Sequence, residues 1–579
     1  MNVAEAVGAV LAALGVRGAF GVVGSGNFHV TNALVEHGVR YVAARHEGGA
    51  ATMADAYARM SGEVAVLTVH QGPGLTNALT GITEAAKSRT PLLVLAPEVT
   101  SPTSNFRIDQ TALAEAVGAH CARVGSAATV VDDTVMAFLA ALLGRRTVVL
   151  NLPLDVQAET LPDEAGEAVR ELLAGRGGAH RDVASRVPAA WGLTFPVESA
   201  TEEEPEGLTS DELPRLARML AEAERPVFVA GRGARGARRE LEALGERVGA
   251  LFATSAVAKG HFHGSPWDLD VSGGFATPLA AELIRGADLI VGWGCSFTMW
   301  TTRHGALIAP ETRVVQVDLD PDALGVHREI DLGVVGDVRE TARAVAALLG
   351  EPGAGDETGT RGYRTPEIAG RIAREGRWRD VPYEDLGVEG RIDPRTLTIG
   401  LDDLLPQERL VAVDSGNFMG YPSMFLTVPD GGAFCFTQAY QSIGLGLATA
   451  IGAAVARPDR LAVAALGDGG ALMGVAELET VVRLGLPMVV VVYDDDGYGA
   501  EVHHFGPHGF PLGAVTFPPA DIAGIARGFG FEAVTVRREE DLSGVAEWLK
   551  GPRDRPLLVH AKVTADRPSW WLEEAFRGH

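Results

Sequence analysis

Cysteine is scarce in this sequence. The three cysteines, Cys121, Cys295 and Cys435, are odd in number and far apart, which excludes a disulfide scaffold or a cysteine-based metal cluster and suits a reducing, cytoplasmic setting. Long apolar runs are also missing. None is long enough to cross a bilayer, so no membrane partner is expected. The opening residues, MNVAEAVGAVLAALGV, are apolar, but they carry Glu5 and lack the basic start and cleavage pattern of a secretory signal. They are expected to form an amphipathic first helix. Positive charge is in deficit as well: acidic residues outnumber basic ones 75 to 50, a formal net charge of -25. A surface that negative repels nucleic acid and anionic lipid, so neither is an expected partner.

What is present is the balance of a soluble globular protein, with 46% hydrophobic and 22% charged residues. A chain of 579 residues exceeds one hydrophobic core and predicts three domains. Short apolar strands alternate with Ala- and Leu-rich helical stretches throughout, the signature of α/β doubly wound parallel sheets. The first unit, residues 1–165, contains the strand candidates GAFGVV, YVAA, VAVLTV, PLLVLA and TVVLNL. The second, 206–350, contains RPVFVAG, ADLIVGWG and VVQVDLDP; the third, 391–579, contains RLVAVD, LAVAALGDG, PMVVVVYDDD and PLLVHAKV. Two looser stretches, Asp163–Pro205 and the one starting at Glu351, read as connections. The first and third units look like two versions of one plan.

The strongest chemical signal is in the third unit. Strand LAVAAL runs into Gly467-Asp468-Gly469-Gly470, a helical stretch follows, and the next strand ends in Asp494-Asp495-Asp496-Gly497-Tyr498. Glycines let backbone approach a phosphate, and a carboxylate beside them can hold a hard cation. A second oxygen ligand at the end of the next strand would complete a metal bridge to a diphosphate. Both segments lie beyond the carboxyl ends of strands, where ligands of parallel sheets bind.

The segment from Gly467 to Gly499 resembles the diphosphate and metal motif of thiamine diphosphate enzymes. The resemblance implies Mg²⁺ held by the side chains of Asp468 and Asp495 and the carbonyl of Gly497, with Gly467, Gly469, Gly470 and Tyr498 near the cofactor. The family pattern has two asparagines where this chain has Asp494 and Asp495, a departure that bears on metal affinity more than on fold. In the first unit, Arg45-His46-Glu47-Gly48-Gly49 is similar to the segment whose glutamate bonds the cofactor's aminopyrimidine, which makes Glu47 the expected catalytic acid. A glutamate opening a helix also complements the helix dipole, so the position alone would not establish that role. Gly72-Pro73-Gly74-Leu75-Thr76-Asn77 is similar to a loop of the acetolactate synthase branch. Gln441-Ser442-Ile443-Gly444 resembles the segment in which an aliphatic residue, here Ile443, wedges the cofactor into its bent form while the Gln441 carbonyl receives the amino group. The resemblance covers nearly the whole chain. It implies a pyrimidine-binding, a middle and a diphosphate-binding domain, and a homodimer or homotetramer with active sites between subunits.

The implied reaction is decarboxylation of a 2-oxo acid followed by carboligation of the enamine to a second carbonyl compound, as in acetolactate synthases. The alternative is a non-ligating decarboxylase that releases an aldehyde. Ser25 and His70 match positions at which benzoylformate-type decarboxylases keep a serine and a histidine. The segment after Tyr498, with His503 and His504, is unlike that of acetolactate synthases; the pair could serve the active site or sit in a solvated loop. This hybrid signature points to a specialised pathway rather than to housekeeping acetolactate synthesis. Gly231-Arg232-Gly233 resembles part of an FAD-binding middle domain, but a tight strand-to-helix turn needs glycine anyway, so FAD is possible and not expected.

Overall fold

The inner strands are apolar runs with both faces buried, the pattern that forces a parallel sheet to be covered by helices on either side. The computed structural model describes residues 1–175, 211–350 and 362–575. It contains three six-stranded sheets, and the strand pairings within them are parallel. The first sheet comprises β1 (Gly18–Gly21), β2 (Arg40–Ala43), β3 (Ala65–Thr68), β4 (Leu92–Glu98), β5 (His120–Arg123) and β6 (Thr147–Pro153), in the order β2-β1-β3-β4-β6-β5. The second comprises β7 (Pro226–Ala230), β8 (Leu251–Thr254), β9 (Asp268–Val271), β10 (Leu289–Trp293), β11 (Arg313–Asp318) and β12 (Leu332–Val335), in the order β12-β11-β10-β7-β8-β9. The third comprises β13 (Arg409–Val413), β14 (Phe434–Phe436), β15 (Leu461–Gly467), β16 (Met488–Asp494), β17 (Glu532–Val536) and β18 (Leu557–Lys562), in the order β14-β13-β15-β16-β18-β17. The first and third sheets therefore share one winding, with the reversal at β1/β3 and at β13/β15.

The first helix, Val3–Ala13, forms as expected but is not amphipathic: apart from Glu5 and Ala12 its residues are buried, because helices lie against it on several sides. Glu5 acts in its capping box, the Asn2 side chain accepting from Glu5 N–H and the Glu5 carboxylate from Asn2 N–H. The stretch expected to begin the first connection starts with a helix, Asp163–Ala174, whose Val169 joins the first core. Residues 176–205 and 351–361 of the two expected connections lie outside the described residues.

One contact between domains positions the site. Helix Glu47–Ser61 of the first unit packs along helix Gly446–Ala456 of the third, and Ala50, Ala54, Ala450 and Ala453 share one core. The helices approach so closely that a Cβ on Gly452 would lie 2.1 Å from the carbonyl oxygen of Met53. Small residues at this crossing fix where Glu47 stands relative to the third sheet.

Candidate active site

The Gly467-Asp468 and Asp494-Asp495 segments end neighbouring strands. Their register pairs Gly467 with Tyr493, so Asp468 and Asp494 leave the sheet at the same level. Both glycines after Asp468 have a steric reason. A Cβ on Gly469 would meet the Tyr498 ring at 2.6 Å, and one on Gly470 would lie 2.3 Å from Oδ2 of Asp414.

The acidic groups here divide into two kinds. Asp468 and Asp495 follow the ends of neighbouring strands and line one cleft. Burial pushes both up, Asp468 to about 8 with repulsion from Asp495 and Asp494 added, and Asp495 to about 6 with repulsion from Asp494 added. Asn417 Nδ2 lies 3.5 Å from Asp495. Asp494 is different: it is buried, with His560 Nε2 at 2.5 Å and Lys562 Nζ at 2.8 Å. Those partners hold its carboxyl below the usual carboxylate range in spite of burial. Asp496, with a φ of 57°, turns back to Lys562 at 2.7 Å and to Arg391. The departure at 494 therefore adds little net negative charge to the site. Removing Lys562 (Lys562→Met) would leave Asp494 and Asp496 short of a cation. It should cost about 3 kcal/mol of stability, read as a lower denaturant midpoint; an unchanged midpoint would contradict this account of Asp494.

The crowding of Asp468 and Asp495 fits a divalent cation, which would relieve their repulsion and use hard oxygen donors. Among the described residues no three His, Cys, Asp or Glu side chains form a metal cluster, so a backbone oxygen, as expected of Gly497, would have to complete the set. Gly497 sits in a short bridge to Thr516, and Tyr498 N–H donates to Val515 O at 2.8 Å. The Tyr498 ring stands edge-on to Phe517 at 5.0 Å.

A cleft of about 2050 Å³ brings Gln441, Ile443, Gly467, Asp468, Gly469, Gly470, Asp495, Gly497 and Tyr498 together. Ser442 does not line it; its hydroxyl donates to Ile443 O at 3.2 Å. Gln441 adopts a φ of 59°, in the left-handed region that favours glycine. Two further residues escaped the sequence reading, Asp414 buried behind the cleft and Gln438 in its lining. Asp414, buried at the end of β13, accepts from Gly444 N–H at 3.0 Å and Leu445 N–H at 3.2 Å, and burial pushes it up to about 6. Gln438 has both ends of its side-chain amide buried with no hydrogen-bond partner among the described residues, a polar group set to meet a ligand. Neither carries a sequence signal beyond following or preceding a strand.

The opposite flank of the cleft belongs to the middle domain. Gly231, Arg232 and Gly233 end β7, and a Cβ on Gly231 would fall 2.0 Å from Gly294 O, a packing requirement sufficient to explain that glycine. Arg232 is half-buried and donates to Ser88 O. Burial, with Arg59 and Arg235 nearby, lowers its guanidinium to about 9. Lys87, Arg89, Arg145 and Arg146 of the first domain also line the cleft, with Arg89 paired to Asp320 of the middle domain at 3.2 Å.

Within one chain Glu47, Ser25, His70, His503 and His504 are not part of this cleft. Glu47 opens its helix behind His46, whose Nδ1 accepts from Gly48 N–H at 3.0 Å. Its carboxylate accepts from Asn77 Nδ2 at 3.0 Å, so the Glu47 segment and the Gly-Pro-Gly loop meet in one bond. Glu477, also missed, reaches from the third domain and accepts from Arg45 and His46 N–H at 3.0 and 3.1 Å, fixing the approach to Glu47. Ser25 and His70 sit together at the ends of β1 and β3. His70 Nδ1 accepts from Gly26 N–H at 3.4 Å, and a Cβ on Gly24 would strike the imidazole at 2.6 Å. Gln71 beside them is buried with Oε1 unpartnered among the described residues. His503 and His504 lie in helix Gly499–Phe505. Burial lowers His503, and the His504 ring stands edge-on to Phe505 at 4.7 Å.

Three family models cover well over half of the sequence: thiamine pyrophosphate enzyme, N-terminal TPP binding domain, over residues 1–116; central domain, over 213–345; and C-terminal TPP binding domain, over 414–561. The chain belongs to the thiamine pyrophosphate enzyme family. It is accordingly a thiamine diphosphate-dependent enzyme of the 2-oxo acid group, a transferase or a lyase. It is 28% identical over 571 residues to a sulfoacetaldehyde acetyltransferase of Castellaniella defragrans, covering 94% of this chain and 89% of that protein. It is 26% identical over 588 residues to the acetolactate synthase isozyme 2 large subunit of Escherichia coli, covering 99% and 97%. Its fold matches the thiamine diphosphate-dependent 4-hydroxybenzoylformate decarboxylase of Rhodococcus jostii with a TM-score of 0.75 at 22% identity, over 98% of this chain and all of that one. No helix among the described residues is long and apolar enough to cross a membrane.

Proposed function

We propose that this protein binds thiamine diphosphate through Mg²⁺, decarboxylates a 2-oxo acid and joins the product to a second carbonyl compound. The observation that carries the reading is the Asp468–Asp495 pair, two buried carboxyls crowded at the same strand ends as Ile443 and the Gly469-Gly470 turn. Bound there, the cofactor would supply the electron sink for the bond to CO₂. The rest of the work falls to side chains. Asp468, Asp495 and the Gly497 carbonyl hold the metal, and Ile443 props the cofactor. Glu47 holds a proton at its carboxyl for the cofactor's pyrimidine ring.

Glu47 has to come from a second copy of the chain, since it does not line the cleft of its own. Exposed apolar residues at both halves of the divided site support that arrangement: Val23, Phe28 and Phe106 around Ser25 and His70, and Tyr440, Leu472 and Met473 beside the cleft. A two-fold pairing of these halves would cover both patches and build two complete sites. Cytoplasmic placement follows from the scarcity of cysteine. FAD is left out of the reading, because the packing of Gly231 against Gly294 already accounts for the first glycine of the turn that resembled its site.

The second reading, a decarboxylase that releases an aldehyde, is favoured by the closeness of the Ser25 loop to His70. A histidine there can deliver a proton where a ligating enzyme would admit a second substrate. Mass-spectrometric product analysis with thiamine diphosphate, Mg²⁺ and a panel of 2-oxo acids separates the two. Coupled 2-hydroxy ketones are the expected result. Free aldehyde alone would transfer the assignment to the second reading, and efficient acetolactate synthesis from pyruvate would overturn the specialised role.

A further inference from the structure

The loop from Gln438 to Leu445 carries Gln441 and Ile443, yet its leading half is held from another domain. Ala439 N–H donates to Glu84 Oε1 at 3.1 Å, and Tyr440 N–H donates to Glu84 Oε2 at 2.7 Å. Glu84 lies in helix Pro73–Lys87, which begins at the Gly-Pro-Gly loop of the first domain. Its side chain is fully buried and paired with Arg59 Nη2 at 2.8 Å. Arg59 in turn donates through Nη1 to the carbonyl of Phe436 at 3.1 Å, the last residue of β14, and is held by Asp55 at 2.9 Å. One buried ion pair therefore grips the loop by a carbonyl and two amides. Lys87, from the same helix, sits over the Tyr440 ring at 5.7 Å. The trailing half is gripped by Asp414 through Gly444 and Leu445. Between the two carboxylates the chain must pass through the left-handed conformation at Gln441, which a free loop of non-glycine residues seldom adopts.

We propose that Glu84 is a positioning residue, reaching across from the first domain to hold Gln441 and Ile443 in the conformation that receives the cofactor. The inference rests on the thiamine diphosphate reading of the cleft. Its physical basis is cost. A buried carboxylate that accepts two backbone N–H groups fixes both with charge-assisted bonds, and Arg59 at 2.8 Å supplies the balancing charge. A glutamine cannot do the same, because its amide offers one acceptor and turns a donor toward an N–H. Since the same helix starts at the loop that bonds Glu47, the first domain would set a part of two sites, its own through Gln441 and Ile443 and that of a second copy through Glu47.

The test compares wild type with Glu84→Gln, Glu84→Asp and, as a control, Ser88→Ala, which touches Arg59 and Glu84 but not the loop. Deuterium uptake of residues 436–445 is measured without cofactor, and thiamine diphosphate affinity by tryptophan fluorescence in Mg²⁺. For Glu84→Gln the expected result is faster uptake confined to this loop and affinity about tenfold weaker. Glu84→Asp should fall between it and wild type, and Ser88→Ala should match wild type. Uptake that stays at the wild-type rate, or that rises evenly over the whole third domain, would overturn the proposal. Should Glu84→Gln not fold, the same two outcomes in Glu84→Asp decide the matter. Confined uptake in Glu84→Gln, with a wild-type protein that binds no thiamine diphosphate, would instead defeat the cofactor reading and leave the loop clamp standing.

Discussion

Replacing Glu47 by glutamine should lower kcat for 2-oxo acid turnover by about two to four orders of magnitude, the range for losing a general acid–base group. Glutamine keeps the shape of the side chain and still accepts from Asn77 Nδ2, now 3.0 Å from Glu47. The helix packing around Ala50, Ala54 and Gly452 is untouched, so stability should barely change. What is lost is a carboxyl that can hold and return a proton. The deficit should appear in kcat more than in cofactor affinity, because the proposed metal ligands, Asp468 and Asp495, stand elsewhere. Steady-state kinetics beside a cofactor titration measures both, and an unchanged kcat would remove Glu47 from the chemistry. The variant also tests the division of the site between subunits. Mixed with an Asp468→Ala partner that fails at the other half, it should recover part of the activity, since some sites in a mixed dimer would have both halves intact.

The second large effect concerns the carboxyl pair. Asp468→Asn removes one of two acidic groups that burial and repulsion hold at about 8 and about 6. In the absence of metal this relieves strain, so the apo variant should melt at a higher temperature than the apo wild type. In the presence of saturating thiamine diphosphate and Mg²⁺ the order should reverse. A ligand at about 100 times its dissociation constant adds about 2.7 kcal/mol to the form that binds it, and the variant should gain almost none. Thermal melts with and without the two ligands give all four values. A variant that is destabilised in the apo state, or that gains as much from ligand as wild type, would place the metal elsewhere. A stabilising substitution that abolishes function is the usual sign of a strained functional site.

The central strands were legible because they are apolar on both faces. LAVAALG, MVVVVYD and LLVLAPE at β15, β16 and β4 read as strands from composition alone, and the chain buries them. The strands that went unread lie mostly at sheet edges. β5, β9, β12, β14 and β17 each close one edge, and an edge strand needs fewer apolar residues and can be as short as Phe434–Phe436. The first helix shows the opposite error. Its apolar character was clear, but whether one face or all of it would be buried depended on neighbours from distant parts of the chain.

The site divides along the same line. Spacing pointed to the turn at Asp468 and the acidic cluster from Asp494 to Asp496, because a metal bridge at the ends of adjacent parallel strands requires a turn after one strand and an acidic group after the next; the resemblance singled out Asp468, Asp495 and Gly497 as the expected ligands. The resemblance carried by short contiguous motifs marked Glu47 and Ile443. Sequence could not show that Asp494 is neutralised by Lys562 and His560, that Glu477 fixes the backbone before Glu47, or that Glu84 and Asp414 grip the loop of Gln441. Those partners stand 30 to 432 positions apart in the chain, and no local pattern links residues that meet only when sheets and domains pack. The sequence by itself determined the class of fold and the chemistry its motifs can support. The tertiary structure decided which carboxylates are paired and which are left to line the cleft, because charge balance in a buried site depends on distance in space and not on distance along the chain.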